Sequence, residues 1–172
     1  DKSFLITPYN VDRKYLDVEQ IVRIENGKKE AGKTPSRSVL LHKHIYEKHP
    51  HVNAVIIAHP PNIMAFAVTE EEFDSRTIPE SYILLRDIIK LPFGSSFMQP
   101  AMVAQEFAPN RPIILVKNDC IIVTGSSLLN AFDRLEVAEY SAKALISSKV
   151  LGEVVSISDV QIAEIEKAFK LE

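Results

Sequence analysis

Asn53-Ala54-Val55-Ile56-Ile57-Ala58-His59-Pro60-Pro61 is the stretch on which the reading of this chain turns. Residues 53–58 carry no charge, which predicts a strand buried on both faces or central in its sheet. The two prolines stop it, because proline donates no ladder hydrogen bond. His59 is thereby set at the C-terminal edge of the strand, a usual place for a functional side chain. Upstream, Thr34 and Pro35 read as a helix start, threonine as cap and proline at the first helical position. That helix would turn Leu40, Leu41 and Ile45 inward and end before Pro50. Further up, Ser3-Phe4-Leu5-Ile6 and Ile21-Val22-Arg23-Ile24-Glu25 read as strands, the second closed by the turn pair Asn26-Gly27. Downstream, residues 113–116 and 121–123 are apolar around Lys117-Asn118-Asp119, the pattern of a hairpin. Leu128, Phe132, Leu135, Ala138, Ala142 and Leu145 recur at helical steps and predict one long amphipathic helix over residues 128–149. Gly152 follows as a stop, and Ser158 with Gln161 forms a capping box for a short last helix. The expected fold is α/β, a single three-layer domain with a mostly antiparallel central sheet flanked by helices.

Composition limits the function classes. The chain has 172 residues, a net charge of −3 and a sequence pI near 6.0. That balance argues against nucleic acid as partner. The single cysteine, Cys120, excludes an internal disulfide and a cysteine-cluster metal site. The longest apolar stretch, residues 52–68, is broken by His59, Pro60, Pro61 and Asn62, so no membrane span is expected. A cytoplasmic protein is the expectation. Glu70-Glu71-Glu72 reads as a solvated loop or helix start. Of the five histidines, His42 and His44 lie two apart on a predicted helix and point to different faces. His49 and His51 flank Pro50 and are expected in solvent.

Several ordered segments carry a resemblance. Residues 4–8 (FLITP), Lys33-Thr34-Pro35-Ser36, Leu41-His42, Ile45-Tyr46, residues 49–55 (HPHVNAV), Ala58-His59-Pro60-Pro61 and residues 118–125 (NDCIIVTG), followed by the helix with Glu136 and Glu139, together resemble the class II aldolase/adducin family. The resemblance spans residues 1–172 and implies that part of the family's N-terminal segment, a helix and a Gly-Asn phosphate loop, is missing. It implies a homo-oligomer, a tetramer by analogy, and chemistry on a phosphorylated sugar. Family enzymes hold zinc with a His-x-His pair and a third histidine, and a glutamate carries the proton; the metal stabilises an enediolate.

Carried over residue by residue, the His-x-His pair falls on Ile57-Ala58-His59, the third histidine on Asp119 and the glutamate on Ser38. The family's two phosphate-binding serines fall on Ser36 and Arg37, and its Thr-Gly turn on Tyr9-Asn10 beside Thr7. His59, Asp119 and Ser38 are thus the candidate catalytic positions, with His59 the one retained metal ligand. Thr7, Tyr9, Asn10, Ser36 and Arg37 are the candidate substrate-binding positions. No cofactor is expected; zinc or another divalent cation would require Cys120 or His42 to rebuild the ligand set. Arg37 reads in two ways, as a fork for a phosphate or carboxylate or as the ion-pair partner of Asp119 or a nearby carboxylate. The functional expectation is a sugar-phosphate aldolase homologue whose zinc site is degenerate and whose aldolase activity is lost or altered, on a scaffold that serves as a binding module. The alternative is an active lyase or epimerase using a rebuilt metal site or metal-independent acid–base chemistry at His59 and Asp119.

Overall fold

The computed structural model describes residues 3–171. Two sheets and seven helices follow one another as β1 (Phe4–Ile6), β2 (Val22–Glu25), β3 (Lys28–Lys29), α1 (Val39–Lys48), β4 (Ala54–Ala58), α2 (Pro61–Ala67), α3 (Pro79–Leu85), β5 (Ile89–Leu91), α4 (Ser95–Met98), α5 (Pro100–Glu106), β6 (Ile113–Val116), β7 (Cys120–Gly125), α6 (Leu128–Ser148) and α7 (Asp159–Phe169). The larger sheet has the order β4-β7-β6-β5, antiparallel except for the β5–β6 pair. A smaller antiparallel sheet, β1-β2-β3, stands apart from it. Its β2–β3 turn is Asn26-Gly27 with φ of +50° and +75°, the left-handed pair that such a tight turn requires.

Of the two positions its composition allows, covered on both faces or central, the strand of residues 54–58 takes the first, at the edge of the larger sheet. It is apolar because both of its faces are covered. Ile56 and Ala58 pack against one core cluster, under α2 and α6, while Val55 and Ile57 pack against another, under α1 and α5. The fully buried central strands are β6 and β7. Helix α1 begins at Val39, four residues after the expected start at Pro35. Residues 34–36 are held extended against β1's continuation: Tyr9 N–H donates to the Thr34 carbonyl and Ser36 N–H to that of Thr7, both at 2.9 Å. The inward face of α1 is Leu41, His42 and Ile45, and Leu40 is 57% exposed, since it lies about 100° around the helix from Leu41.

Two other sequence expectations change in the folded chain. His49 is buried, with Nε2 bonded to the Ala104 carbonyl at 2.7 Å, because α5 packs across the end of α1. In α6 the buried line runs through Ala131, Ala138, Ala142 and Leu145, and Leu128 and Phe132 are exposed. Three alanines on that line let α6 approach the sheet closely. The glutamates at 70–72 lie in a loop and each meets a lysine: Glu70–Lys117 at 2.8 Å, Glu71–Lys149 at 3.1 Å and Glu72–Lys90 at 3.6 Å. Residues 61–106 hold four short helices of four to seven residues and one strand, too short for periodicity to announce them.

Glu139 of α6 closes the start of α2. Its carboxylate accepts from the backbone N–H groups of Asn62 and Ile63, at 3.1 and 2.9 Å, and from the Asn62 side chain at 2.6 Å. These charge-assisted bonds fix α2, and with it the exit of β4. Glu139→Ala is expected to cost about 2–3 kcal/mol, a melting shift of roughly 5–10 °C. The exposed Glu136→Ala is the control and should shift the melting temperature by less than about 2 °C. Equal shifts in the two variants would refute the capping role.

Candidate functional site

The site lies at one end of the larger sheet, where three local structures converge. Strand β4 pairs with β7 so that Ala58 faces Ile121, and one more step along that register brings His59 to the level of Cys120. The β6–β7 turn is tight because Asn118 takes the left-handed conformation, φ +52°. It is pinned by Lys117 N–H to the Leu91 carbonyl at 2.9 Å and Asn118 N–H to that of Ala67 at 3.1 Å. Asp119 is thereby held on the same cavity as His59. The third wall is the extended segment 34–36, bonded through its backbone to Thr7 and Tyr9, and the turn at 37–38 that leads into α1.

These walls enclose a cavity of about 420 Å³ lined by Tyr9, Asn10, Ser36, Arg37, Ser38, Ile57, His59 and Asp119 together with Pro8, Val11, Arg13, Leu41, Ser96 and Cys120. Seven of the eight expected site residues line it, along with Ile57, the position corresponding to the family's first histidine. Thr7 is not on the lining; its carbonyl serves the backbone bond to Ser36.

Within the cavity the side chains are partnered locally. The hydroxyls of Ser36 and Ser38 are 3.0 Å apart and hydrogen bonded. Ser96 of α4 donates to the Asp119 carboxylate. Arg37 does not pair with Asp119. Its guanidinium carbon stands 5.1 Å from the centre of the Tyr9 ring, a cation–π contact, and it is exposed. His59 is exposed to the cavity and solvent. Cys120 is buried, which pushes its thiol up, and the neighbouring Asp119 charge adds to the effect. It is therefore a thiol, not a thiolate, near neutral pH. His42 is turned out of this lining, its Nδ1 2.9 Å from the Ser38 carbonyl, and burial is the main cause that lowers its proton affinity. No group of three or more His, Cys, Asp or Glu that could hold a metal ion occurs among the described residues.

Two polar residues of the cavity lining escape the sequence reading, Ser96 and Arg13. Ser96 follows the turn of Gly94, whose φ is +86°, and nothing local links it to a carboxylate 23 residues on. Arg13 belongs to a single 3-10 turn, Arg13–Tyr15, too short to give a pattern. No helix among the described residues is long and apolar enough to cross a membrane.

Comparison with known proteins agrees with this geometry. The L-fuculose phosphate aldolase of Methanococcus vannielii is 29% identical over 146 residues, covering 83% of this chain and 78% of that protein. The 3-oxo-tetronate 4-phosphate decarboxylase of Haemophilus influenzae is 24% identical over an alignment of 178 residues, 99% of this chain and 83% of the relative. An aldolase II superfamily protein of Pseudomonas syringae has the same fold, with a TM-score of 0.81 at 15% identity over 97% of this chain and 71% of that one. The family model of the Class II Aldolase and Adducin N-terminal domain matches residues 1–146. By that match, over most of its length, this chain belongs to the class II aldolase and adducin family.

Proposed function

We propose that this protein holds a small phosphorylated or carboxylated molecule in the cleft and has lost or altered the zinc-dependent carbon–carbon cleavage associated with its family. One observation carries the reading. The four positions that correspond to the family's metal sphere bring one imidazole (His59), one carboxylate (Asp119), one hydroxyl (Ser38) and one hydrocarbon (Ile57) to the same cavity. Ile57 has no lone pair, the Ser38 hydroxyl is engaged by Ser36, and Asp119 is engaged by Ser96. Two donors fall short of the three protein ligands that zinc takes, so the residues present do not fit the ion. Without it, the several kcal/mol by which a metal stabilises an enediolate are missing.

What remains is a binding cleft. Arg37 presents a forked cation, Ser36, Ser38 and Asn10 supply hydroxyl and amide donors, and Tyr9 supplies a ring face. The names of the aldolase and decarboxylase relatives make a sugar phosphate the natural ligand class. Phe93, Phe97, Met98 and Met102 expose 58–70% of their surface beside Ser96, which supports burial of this face between copies, a tetramer in our reading. The single buried cysteine is in keeping with a cytoplasmic site of action.

A second reading keeps catalysis without metal. It is favoured by His59 and Asp119 sharing one cavity, with Asp119 oriented by Ser96; the imidazole would then exchange the proton. Elemental analysis after purification in zinc-supplemented buffer, followed by retro-aldol assays on several sugar phosphates, tests both. We expect well below one zinc per chain and no cleavage. Near one zinc per chain, with cleavage abolished by a chelator and restored by zinc, would overturn the proposal. Cleavage that survives the chelator would establish the second reading in its place.

A further inference from the structure

One buried cation stands outside the cleft, between the segments that hold the turn carrying Asp119. The side chain of Lys90 exposes 6% of its surface, against 36% and 57% for Lys117 and Lys149, the other lysines that meet the loop at 70–72. Lys90 lies between Ile89 and Leu91 on the edge strand β5. Those two neighbours pack on the core under α1 and α5, so the alternation of a strand turns Lys90 to the opposite face. There its ammonium donates to the carbonyls of Thr69 and Glu71, at 3.2 and 2.8 Å, just past the end of α2 at Ala67. The Glu72 carboxylate, 3.6 Å away, is 84% exposed and adds little. A buried ammonium is costly unless its donors are taken up. Two backbone carbonyls take them up here.

This tie joins the two segments that grip the β6–β7 turn. Leu91, the residue after Lys90, accepts from the Lys117 N–H, and Ala67, two residues before Thr69, accepts from the Asn118 N–H. Five residues beyond Leu91 the same segment delivers Ser96, whose hydroxyl meets the Asp119 carboxylate. The turn is therefore held by β5 and α4 on one side and by the end of α2 on the other. No strand pairing joins those two sides among the described residues, since β5 pairs with β6 and α2 lies outside the sheet. The Lys90 ammonium bridges them.

We propose that Lys90 is a positioning residue for the cleft: by fixing the end of α2 to β5 it keeps the 117–119 turn closed and holds Asp119 on the cavity wall. The inference goes beyond the ligand reading and does not depend on what the cleft binds. Its signature is local. Loss of the ammonium loosens the turn more than it loosens the rest of the fold.

Cys120 makes the turn measurable. It follows Asp119, is the single cysteine of the chain and is 2% exposed, so a thiol reagent reaches it only when the turn or the whole fold opens. Labelling rates of the full chain, without urea and at one pH, test the proposal, with circular dichroism to check each variant's fold. Lys90→Met keeps the buried stem and removes the ammonium. It should speed labelling roughly tenfold or more, the worth of the charge-assisted bonds. Lys90→Gln keeps an uncharged donor and should give an intermediate rate, at least about threefold above the parent; it replaces the methionine variant if that one does not fold. Ile113→Ala is the control, at the far end of β6 from the turn and 1% exposed. It should lower the urea midpoint through the cavity it leaves, yet keep labelling within about twofold of the parent. A folded Lys90 variant that labels within about twofold of the parent, or no faster than Ile113→Ala, overturns the proposal, because the lysine then serves global stability alone.

Discussion

Gly125→Ala is expected to destabilise this protein by about 3 kcal/mol or more, near the upper end of the usual cost of overpacking a core. Gly125 ends β7 where α6 crosses the sheet. A methyl group added there would lie 2.6 Å from the backbone nitrogen of Ala131 and 2.9 Å from its Cα. Those atoms belong to the first turns of a 21-residue helix whose buried face is locked into the core. They cannot swing away as a side-chain end would, so helix or strand must shift. For a chain of this size the melting temperature should fall by roughly 6–12 °C. The double variant Gly125→Ala/Ala131→Gly separates the causes. It should remain as unstable as the single variant, because the closest clash is with backbone. Recovery in the double variant would show that the Ala131 methyl, also 2.9 Å away, and not the backbone is the obstacle, and a single-variant shift below about 2 °C would show that the close approach does not limit residue 125.

The triple change Ser38→Glu, Ile57→His, Asp119→His is expected to raise zinc affinity on the order of a thousandfold over the parent. The geometry for it is present in the strand. Position 57 is on β4 and position 59 lies one residue beyond its end, and both line the cavity. Positions 38 and 119 line the same cavity. Equilibrium dialysis with elemental analysis gives the stoichiometry, which should approach one zinc per chain and return to background on chelation. Turnover should lag behind binding, because the cavity still carries Arg37, Tyr9 and Asn10 where the resemblance implies a serine and a Thr-Gly turn, and the Ser96 contact to Asp119 is lost. Ile57 is half-buried, so a drop of about 2 kcal/mol in stability is expected alongside. A parent that binds zinc as tightly as the triple variant would refute the account of the site. A folded triple variant that binds none would refute it equally.

The sequence by itself determined the elements that are long or chemically punctuated. Asn26-Gly27 could only be a left-handed turn, the apolar runs around Lys117-Asn118-Asp119 could only pair, and a 21-residue helix declares itself by period. It also determined, through the resemblance, which side chains stand near His59, because their order along the chain is that of the family. The tertiary structure decided the rest, and in each case through partners far away in sequence. Residues 34–36 are extended because residues 7 and 9 take their backbone bonds. His49 is buried because the Ala104 carbonyl, 55 residues on, needs a donor. Residues 54–58 read as a strand covered on both faces or central, and the structure takes the first alternative in an edge strand, since apolar composition reports coverage of two faces and says nothing about hydrogen-bonded neighbours. The partners of the charged groups were illegible for the same reason. That Arg37 rests on Tyr9 while Asp119 takes the hydroxyl of Ser96 depends on where two turns meet, a matter of distances that no local pattern of residues encodes.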